Sequence, residues 1–520
     1  MVFPTGITKS SSQELLIASD SSPIACLPPE ILPLVFLEVR QASRAKSSAI
    51  LAISRVSRLW RNIALSTPEL WTWIDIPDVG MIQTFLIRAK NRPLSIALKE
   101  VRSNNRLPIT AALQSLHHIR YLKLSVYYYI DWSRLGPFVE MTRPARALET
   151  LHLDGICLPE PPGLPFSGSL PSLRHLHLHR FDTEWKTIPD CPRLRSLCII
   201  TPEILIGIPE FLQRLPTFPL LEELETGGIF EEGSGAGYLT DRIELPNLKY
   251  LTFNNEETCD VIALLGSLHV PSTCKIRLKV NQNEPDEHLS LFPALATCRR
   301  GTVGHIRELK VIADGWVGLR IYEGHKEPER EDEPYGYTAD GRSNLQFTIW
   351  QPFNEPKPRH PIRLATRICR NHLDLSRLEA IDLVSKDVTD YPTPSFWEFI
   401  DSLSTLRALK VRQIYARSFI EYISTTLQSD EPIIPFGIIN KLVYEDPTND
   451  TQQYPMRLTG LIEYLRARVD KECPLATLTL VHVGTSQVPG GFLEELRGLV
   501  PQVKRKVKMI VHNKAQLVDE

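Results

Sequence analysis

The sequence lacks the features that would tie it to a bilayer, a secretory route or a common catalytic loop. No apolar run approaches the roughly 18 residues of a spanning helix. The most apolar region, Cys198 to Leu212, is broken by Pro202, Gly207 and Pro209. The start, MVFPTGITKSSSQELLIASDSS, has no basic opening and no long apolar stretch, so it does not read as a secretion signal. Its serine-rich composition predicts a disordered leader over residues 1–23. An excess of one charge is also missing: 59 Lys and Arg face 61 Asp and Glu, a net −2. That argues against nucleic acid or an anionic membrane as partner. Nine cysteines are scattered without a CxxC pair, which excludes a zinc knuckle and suits a reducing compartment. A cytoplasmic or nuclear protein is expected. HExxH, the phosphate loop and GxSxG are all absent, and Gly233-Ser234-Gly235-Ala236-Gly237 fails the dinucleotide fingerprint because Tyr238 takes the sixth place. We expect no enzyme and no cofactor.

What the chain does have is an apolar helical stretch near its start, residues 27–76, LPPEILPLVFLEVRQASRAKSSAILAISRVSRLWRNIALSTPELWTWIDI. Pro28 suits a first helical turn, where a missing N–H costs nothing. Ile31, Leu32, Leu34, Val35, Phe36 and Val39 make an apolar face wider than one packing stripe needs. Pro33 stands where an interior donor is expected, so the helix either starts later than Pro28 or kinks. Ser47 and Ser48 can cap a second helix, whose stripe is Ile50, Ile53, Val56, Trp60 and Ile63. Thr67-Pro68-Glu69 reads as an N-cap, a first-turn proline and a first-turn acid, with Leu70 and Trp71 following. About 50 residues bury too little surface to be comfortable alone. Either the rest of the chain or a partner must cover the broad face.

Leu27-Pro28, Glu30-Ile31-Leu32, Phe36 and Val56-Ser57-Arg58-Leu59-Trp60-Arg61, taken in order, resemble an F-box. This helical module docks on the Skp-type adaptor of cullin–RING ubiquitin ligases. The ending Ser66-Thr67-Pro68-Glu69-Leu70-Trp71 is similar to the variant common in fungal F-box proteins. The resemblance covers about a tenth of the chain. It implies a small all-α domain over residues 24–76 that touches the adaptor, and through it cullin. The residues implied in that contact are Leu27, Pro28, Ile31, Leu32, Val56, Trp60, Leu70 and Trp71. The alternative is that the same helices merely cap the remainder of the chain.

Beyond Ile76 a pattern recurs: two apolar residues flank one variable residue, often with a leucine three positions earlier. Leu148-x-x-Leu151-x-Leu153 and Leu173-x-x-Leu176-x-Leu178 are two copies. Others centre on Leu122, Leu197, Leu224, Leu251, Ile276, Leu309, Phe347, Ile381, Leu409, Leu442 and Leu478. Their spacing runs from 21 residues, between Leu176 and Leu197, to 38, between Leu309 and Phe347. That is the period of leucine-rich repeats at first and longer later. Leu94–Leu98 and Val507–Val511 read as flanking strands. Helical spacing appears in between, for example at Val261, Leu264, Leu265 and Leu268, and at Phe419, Tyr422, Ile423 and Leu427. Strand and helix in alternation predict an α/β fold of parallel strands with helical crossovers. Residues 77–520 resemble a degenerate leucine-rich-repeat-like solenoid of the ribonuclease-inhibitor kind, although the asparagine usual after the strand is mostly missing. An ordinary open α/β sheet is the alternative. Residues 231–237, 323–342 and 351–361 read as projecting loops.

In such a sheet the residue between two inward leucines faces outward. That row reads Lys123, His152, His177, Cys198, Glu225, Thr252, Arg277, Lys310. Its mixed charge suits a protein or peptide better than a phosphate-rich polymer. Tyr127-Tyr128-Tyr129 and Trp132 follow the first clear repeat strand, and an exposed aromatic there can anchor a partner. The expected target-binding residues are therefore Lys123, Tyr128, His152, His177, Glu225, Arg277 and Lys310. His175, His177 and His179 alternate with Leu176 and Leu178, with His152 beside His177 one repeat earlier. Zinc tolerates such ligands, but Asp154 and Asp182 lie beyond the strands and no further ligand is fixed. An exposed polar row is the simpler reading, and no metal is expected. Lys504-Arg505-Lys506 with Lys508 reads as a solvated strand end, with nuclear import as the alternative.

Together these readings predict a substrate receptor of an SCF-type ubiquitin ligase. Its F-box holds the Skp-type adaptor and its repeats hold an unidentified target protein. The alternatives are a repeat scaffold outside ubiquitination and a metal-dependent enzyme at the His152/His177 row.

Overall fold

The computed structural model describes residues 27–519 except 44, 102–106, 127–142, 156–169, 182–184, 203–204, 232–241, 282–287, 300–305, 314–316, 323–344, 351–360, 386–390, 430–433, 446–453, 484–489 and 512–513. The expected leader, Tyr127–Tyr129, Trp132, Asp182, the loops at 323–342 and 351–360 and nearly all of the loop at 231–237 lie outside the described residues. Two compact units make up the chain: Met1–Leu197 with Thr201–Ile204, and Cys198–Ile200 with Leu205–Glu520. No helix among the described residues is long and apolar enough to cross a membrane.

The first unit opens with α1 (Leu32–Ala42), α2 (Lys46–Val56), α3 (Arg58–Ser66) and a 3-10 turn, Pro68–Trp71. Pro33 does not kink its helix. The helix starts late, at Leu32, and Pro33 sits in the first turn, where its missing donor has no intrahelical partner to lose. The single helix expected across Ser47–Ile63 is in fact two. Ser57 between them is extended (φ −152°, ψ 167°), and its hydroxyl accepts the Trp60 N–H at 3.1 Å, which starts α3. A serine inside an apolar stripe offers the backbone an alternative to continued helix. The expected serine caps are also replaced: the Asp75 carboxylate accepts the N–H groups of Lys46 at 2.9 Å and Ser47 at 3.2 Å. Ser47 instead donates its hydroxyl to the Trp73 carbonyl at 2.9 Å. Trp71 is fully buried, donates its indole N–H to the Ala64 carbonyl at 2.7 Å, and packs edge-on against Phe85 at 4.9 Å.

Phe85 belongs to α4 (Val79–Ala89), which follows β1 (Trp73–Ile74). Next come β2 (Leu94–Val101), β3 (Ile119–Val126), β4 (Thr150–Asp154) and β5 (His175–His179). These five strands pair in chain order, all parallel. Because β1 pairs with β2 and Trp71 packs on α4, the compact unit runs past the residue-76 edge of the helical segment. The pleat places Leu122, Leu151 and Leu176 inward at 0%, 0% and 1% exposure, in register with one another. The residues between inward leucines, Lys123, His152 and His177, are half-buried on the other face.

β6 (Ser196–Ile200) has residues in both units. The second unit continues with β7 (Glu223–Gly227), β8 (Ile243–Glu244), β9 (Tyr250–Glu257), β10 (Leu268–His269), β11 (Lys275–Asn281), β12 (Glu308–Ala313), β13 (Val317–Tyr322) and β14 (Leu345–Trp350). It ends with β15 (Ala380–Ser385), β16 (Ala408–Gln413), β17 (Lys441–Glu445), β18 (Thr477–Val483), β19 (Gln502–Val511) and β20 (Lys514–Asp519). β8 and β10 form a small parallel pair of their own. The others lie side by side as β7, β9, β11, β14, β13, β12, β15 through to β20. Helices Thr258–Ser267, His288–Cys298, Pro361–His372, Pro394–Asp401, Ile414–Leu427, Tyr454–Asp470 and Gly490–Leu499 connect them.

Two features depart from a uniformly parallel, sequential array. β13 and β20 run antiparallel to their neighbours. The repeats centred on Leu309 and Phe347 are also not in chain order: Phe347 pairs with Leu278 of β11, and Leu309 pairs with Ile381 of β15. The cause is the turn-back of β13 on β12, which puts β14 on the far side of that hairpin. The architecture is a large mixed sheet with parallel strands predominating. A backbone feature does recur. The residue four after the central apolar position is left-handed at Gly155, Arg180, Thr201, Gly228, Asn255 and Gln413, with φ between 46° and 71°.

The register predicts unequal costs for neighbouring truncations. Leu176→Ala should destabilise by about 2–5 kcal/mol, as for a core leucine. His177→Ala should cost about 0.5 kcal/mol or less. Denaturant unfolding measures both, and equal losses would contradict the register.

Candidate functional site

The helical segment concentrates exposed apolar side chains. Thirteen large hydrophobics stand exposed among the described residues, and seven of them lie between Leu27 and Leu65. Leu27 and Ile31 flank the turn before α1, where the Ile31 N–H donates to the Pro28 carbonyl at 2.9 Å. Leu34 and Val39 are on α1 itself. Val56 (61% exposed) and Leu59 (51%) flank the break at Ser57, which turns Val56 out of the core stripe. Trp60 is half-buried and packs on Phe36 with ring centroids 4.8 Å apart.

Three residues of the expected adaptor set belong to the core. Leu32, Leu70 and Trp71 are 1%, 0% and 0% exposed, so they shape the helical face without offering a side chain to a partner. Leu27, Pro28, Ile31 and Val56 are exposed, and Trp60 is partly so. Leu34 and Leu59 also stand out. Leu34 lay on the broad face already evident in the sequence, and Leu59 lies off the second helix's stripe; the exposure of Val56 is what required the helix break to be known.

On the outward face of the first unit's sheet, rings stack from strand to strand. Trp73 stacks on Tyr121 at 5.4 Å across Ser95, the small residue paired with both. Tyr121 lies 5.6 Å from His152, and His152 stacks on His177 at 5.0 Å. The Lys46 ammonium sits 3.7 Å from the centre of the Trp73 ring. Burial, with the neighbouring His177, Lys123 and His175, pushes the His152 imidazole down to about 4. Asp154 does not lie beyond its strand, as expected, but ends β4. It accepts from His179 Nδ1 at 2.8 Å and Arg180 Nη2 at 3.0 Å. Burial opposes its ionisation, yet those two partners outweigh it and hold the carboxyl below its usual range. Among the described residues no three His, Cys, Asp or Glu side chains come together as metal ligands.

In the second unit, Glu225 accepts from Asn254 Nδ2 at 2.7 Å and lies 3.5 Å from the Cys198 thiol, whose ionisation burial and this carboxylate suppress. Arg277 and Lys310 are not neighbours, as the chain order implied. Gln346 and Arg320 stand between them across β11, β14, β13 and β12. Lys310 pairs across strands with Asp382, and Asp382 with Lys410. Arg412 binds Asp382 through two contacts, at 3.0 and 3.1 Å, and lies 3.7 Å from Glu445. Burial holds the Lys310 ammonium below the ordinary lysine value; Asp382 opposes the effect, and Arg412, Arg320 and Lys410 add to it. Lys410 and Asp382 occupy the same outward slot in their repeats as Lys123 does in its own, so the rule that found one could have found the others. Leu319-Arg320-Ile321 carries the same pattern, but the backward pairing of β13 hid that Arg320 stands beside Lys310. Tyr128 lies outside the described residues.

His152 generates a pH prediction. Its folded value lies below the ordinary 6.5, so the unfolded chain takes up the proton first as pH falls. The stability tied to neutral His152 is present above pH 6.5 and is lost progressively towards about 4. The His152 Cε1–H resonance should titrate with a midpoint near 4. A His152→Gln variant should lose less stability than the parent over the same interval. A midpoint near the ordinary value would contradict the buried, cation-flanked placement.

The comparisons with known proteins bear on the helical segment alone. No curated protein matches the chain. Residues 24–77 match the F-box-like family model, over the helices, the 3-10 turn and β1 described above, and so the chain carries an F-box-like domain near its start.

Proposed function

We propose that this protein is the substrate-receptor subunit of an SCF-type ubiquitin ligase. The observation that carries the reading is the cluster of exposed apolar side chains within the F-box-like domain. Water-exposed leucine, isoleucine and valine at this density mark an interaction surface. F-box domains generally dock on Skp-type adaptors, and through the adaptor a cullin would be engaged. The sheet domain holds the target protein. In this reading it is a degenerate leucine-rich-repeat-like solenoid, supported by the recurring outward row and by the left-handed residue that recurs at the same position of six repeats. The Ser66–Trp71 ending favours the fungal type of F-box. The mechanism is non-covalent: the receptor raises the effective concentration of target lysines near the ubiquitin-charged enzyme and supplies no nucleophile. A cytoplasmic or nuclear location follows from that role.

One observation favours a second reading, in which the helices only cap a scaffold. Trp71 and β1 tie the helical segment to α4 and β2. Capping alone, however, leaves the exposed face without a purpose.

Adaptor binding separates the two. Leu27 and Pro28 are exposed, so a Leu27→Ala/Pro28→Ala variant opens no cavity and should keep its circular dichroism and melting transition. Its affinity for a purified Skp-type adaptor should fall at least about tenfold, or about 1.4 kcal/mol. Ile87→Ala, at an exposed position outside the F-box-like domain, should change nothing. Undiminished affinity, or no adaptor binding by the parent, would overturn the receptor reading.

A further inference from the structure

The exposed apolar side chains of the F-box-like domain adjoin a stretch of this same chain that has an apolar run of its own. Residues 1–26 lie outside the described residues and lead directly into Leu27, the first of the exposed hydrophobics. Their sequence from Thr5 to Ser22, TGITKSSSQELLIASDSS, is mostly polar but holds Leu15-Leu16-Ile17 in succession. Three large apolar residues in a row are unfavourable in water unless something covers them. Leu34, Val56 and their exposed neighbours carry the same cost. The two can meet. Ten residue steps separate Ile17 from Leu27, and ten residues of extended chain reach about 33–36 Å. The 11 residues of α1 are only about 16 Å long. α2 and α3 pack against α1, which brings Val56 and Leu59 within the same range. Arg55 and Arg58 border those two side chains, are exposed, and make no ion pair among the described residues. Glu14, next to Leu15, carries the complementary charge, whereas Lys9 is five positions further away.

We propose that Glu14-Leu15-Leu16-Ile17 docks on the exposed apolar side chains of the F-box-like domain and competes there with the adaptor. The competition rests on the adaptor-docking reading; the contact within the chain does not. Three apolar side chains are too few to hold a separate peptide against its loss of freedom. A tethered segment is held at an effective concentration in the millimolar range, so a weak contact is occupied for much of the time. A face covered for about three-quarters of the time binds a competitor about fourfold more weakly. The leader therefore raises the adaptor concentration needed for assembly without abolishing it. Adaptor and leader exclude each other because both need the same side chains, so each lowers the other's occupancy by the same factor.

Two measurements on the full chain test this. The first uses no adaptor. Amide hydrogen exchange of residues 12–20 should be slower in the parent than in a Leu34→Ser/Val56→Ser variant by at least about threefold. Both substituted positions are exposed, and circular dichroism checks that the variant folds. The second titrates a purified Skp-type adaptor. A Leu15→Ser/Leu16→Ser/Ile17→Ser variant, altered outside the folded domain, should bind it at least about threefold more tightly than the parent. Ser10→Ala/Ser11→Ala/Ser12→Ala should bind it as the parent does. Leader amides that exchange equally fast in the parent and the Leu34→Ser/Val56→Ser variant would overturn the proposal. So would unchanged or weaker adaptor binding by the leader variant. A parent of twice the monomer mass, made monomeric by Leu34→Ser/Val56→Ser but not by the leader variant, would give the face to a second copy and overturn it as well. If no form of the chain binds the adaptor, the docking reading fails, and the exchange measurement alone decides the contact.

Discussion

The pleat of the parallel strands is the constraint on which the rest depends. In the first unit, Leu122, Leu151 and Leu176 occupy equivalent registers and are essentially withdrawn from water. Burial of one leucine is worth about 1.5–3 kcal/mol, and a one-residue slip would expose every inward leucine of the strand at once. This penalty fixes which side chains face outward. The stacked rings of Trp73, Tyr121, His152 and His177 are a consequence, as is the charged row of the second unit. Neither set is positioned by its own attraction. Both are held in place by leucines on the opposite face.

The helical domain obeys a different constraint. Its core is small and closed by Trp71, which satisfies its indole within the domain. A serine at the midpoint of the apolar stripe and a proline at the start of α1 shorten the helices and leave Val56 and Ile31 outward, beside Leu59, which lies off the stripe. A continuous helix would have kept more of that stripe in the core. The two breaks are therefore what convert an apolar stripe into an apolar surface.

Much of this was legible in the sequence because period-two and period-3.6 patterns respond to burial, and burial dominates the fold. Every repeat centre from Leu122 to Leu478 falls in a strand. The order of β12, β13 and β14 was not legible. Val317–Tyr322 alternates like any strand, but nothing local says that it pairs backwards, so Arg320 could not be placed beside Lys310. The core role of Leu70 and Trp71 was hidden for a related reason: an apolar residue in a short turn looks the same whether its own domain or a partner covers it. Ser57 likewise gives no sign, within its helical spacing, that it will act as a cap.

The central claim is that the F-box-like face docks on an adaptor while the outward face of the sheet stays open for a target. Amide hydrogen exchange on the full chain, with and without a purified Skp-type adaptor, tests this most directly. The account predicts slowed exchange confined to residues 27–65, with β12, β13, β15 and β16 unchanged. Slowed exchange in those strands, or no change within residues 27–65, would contradict it.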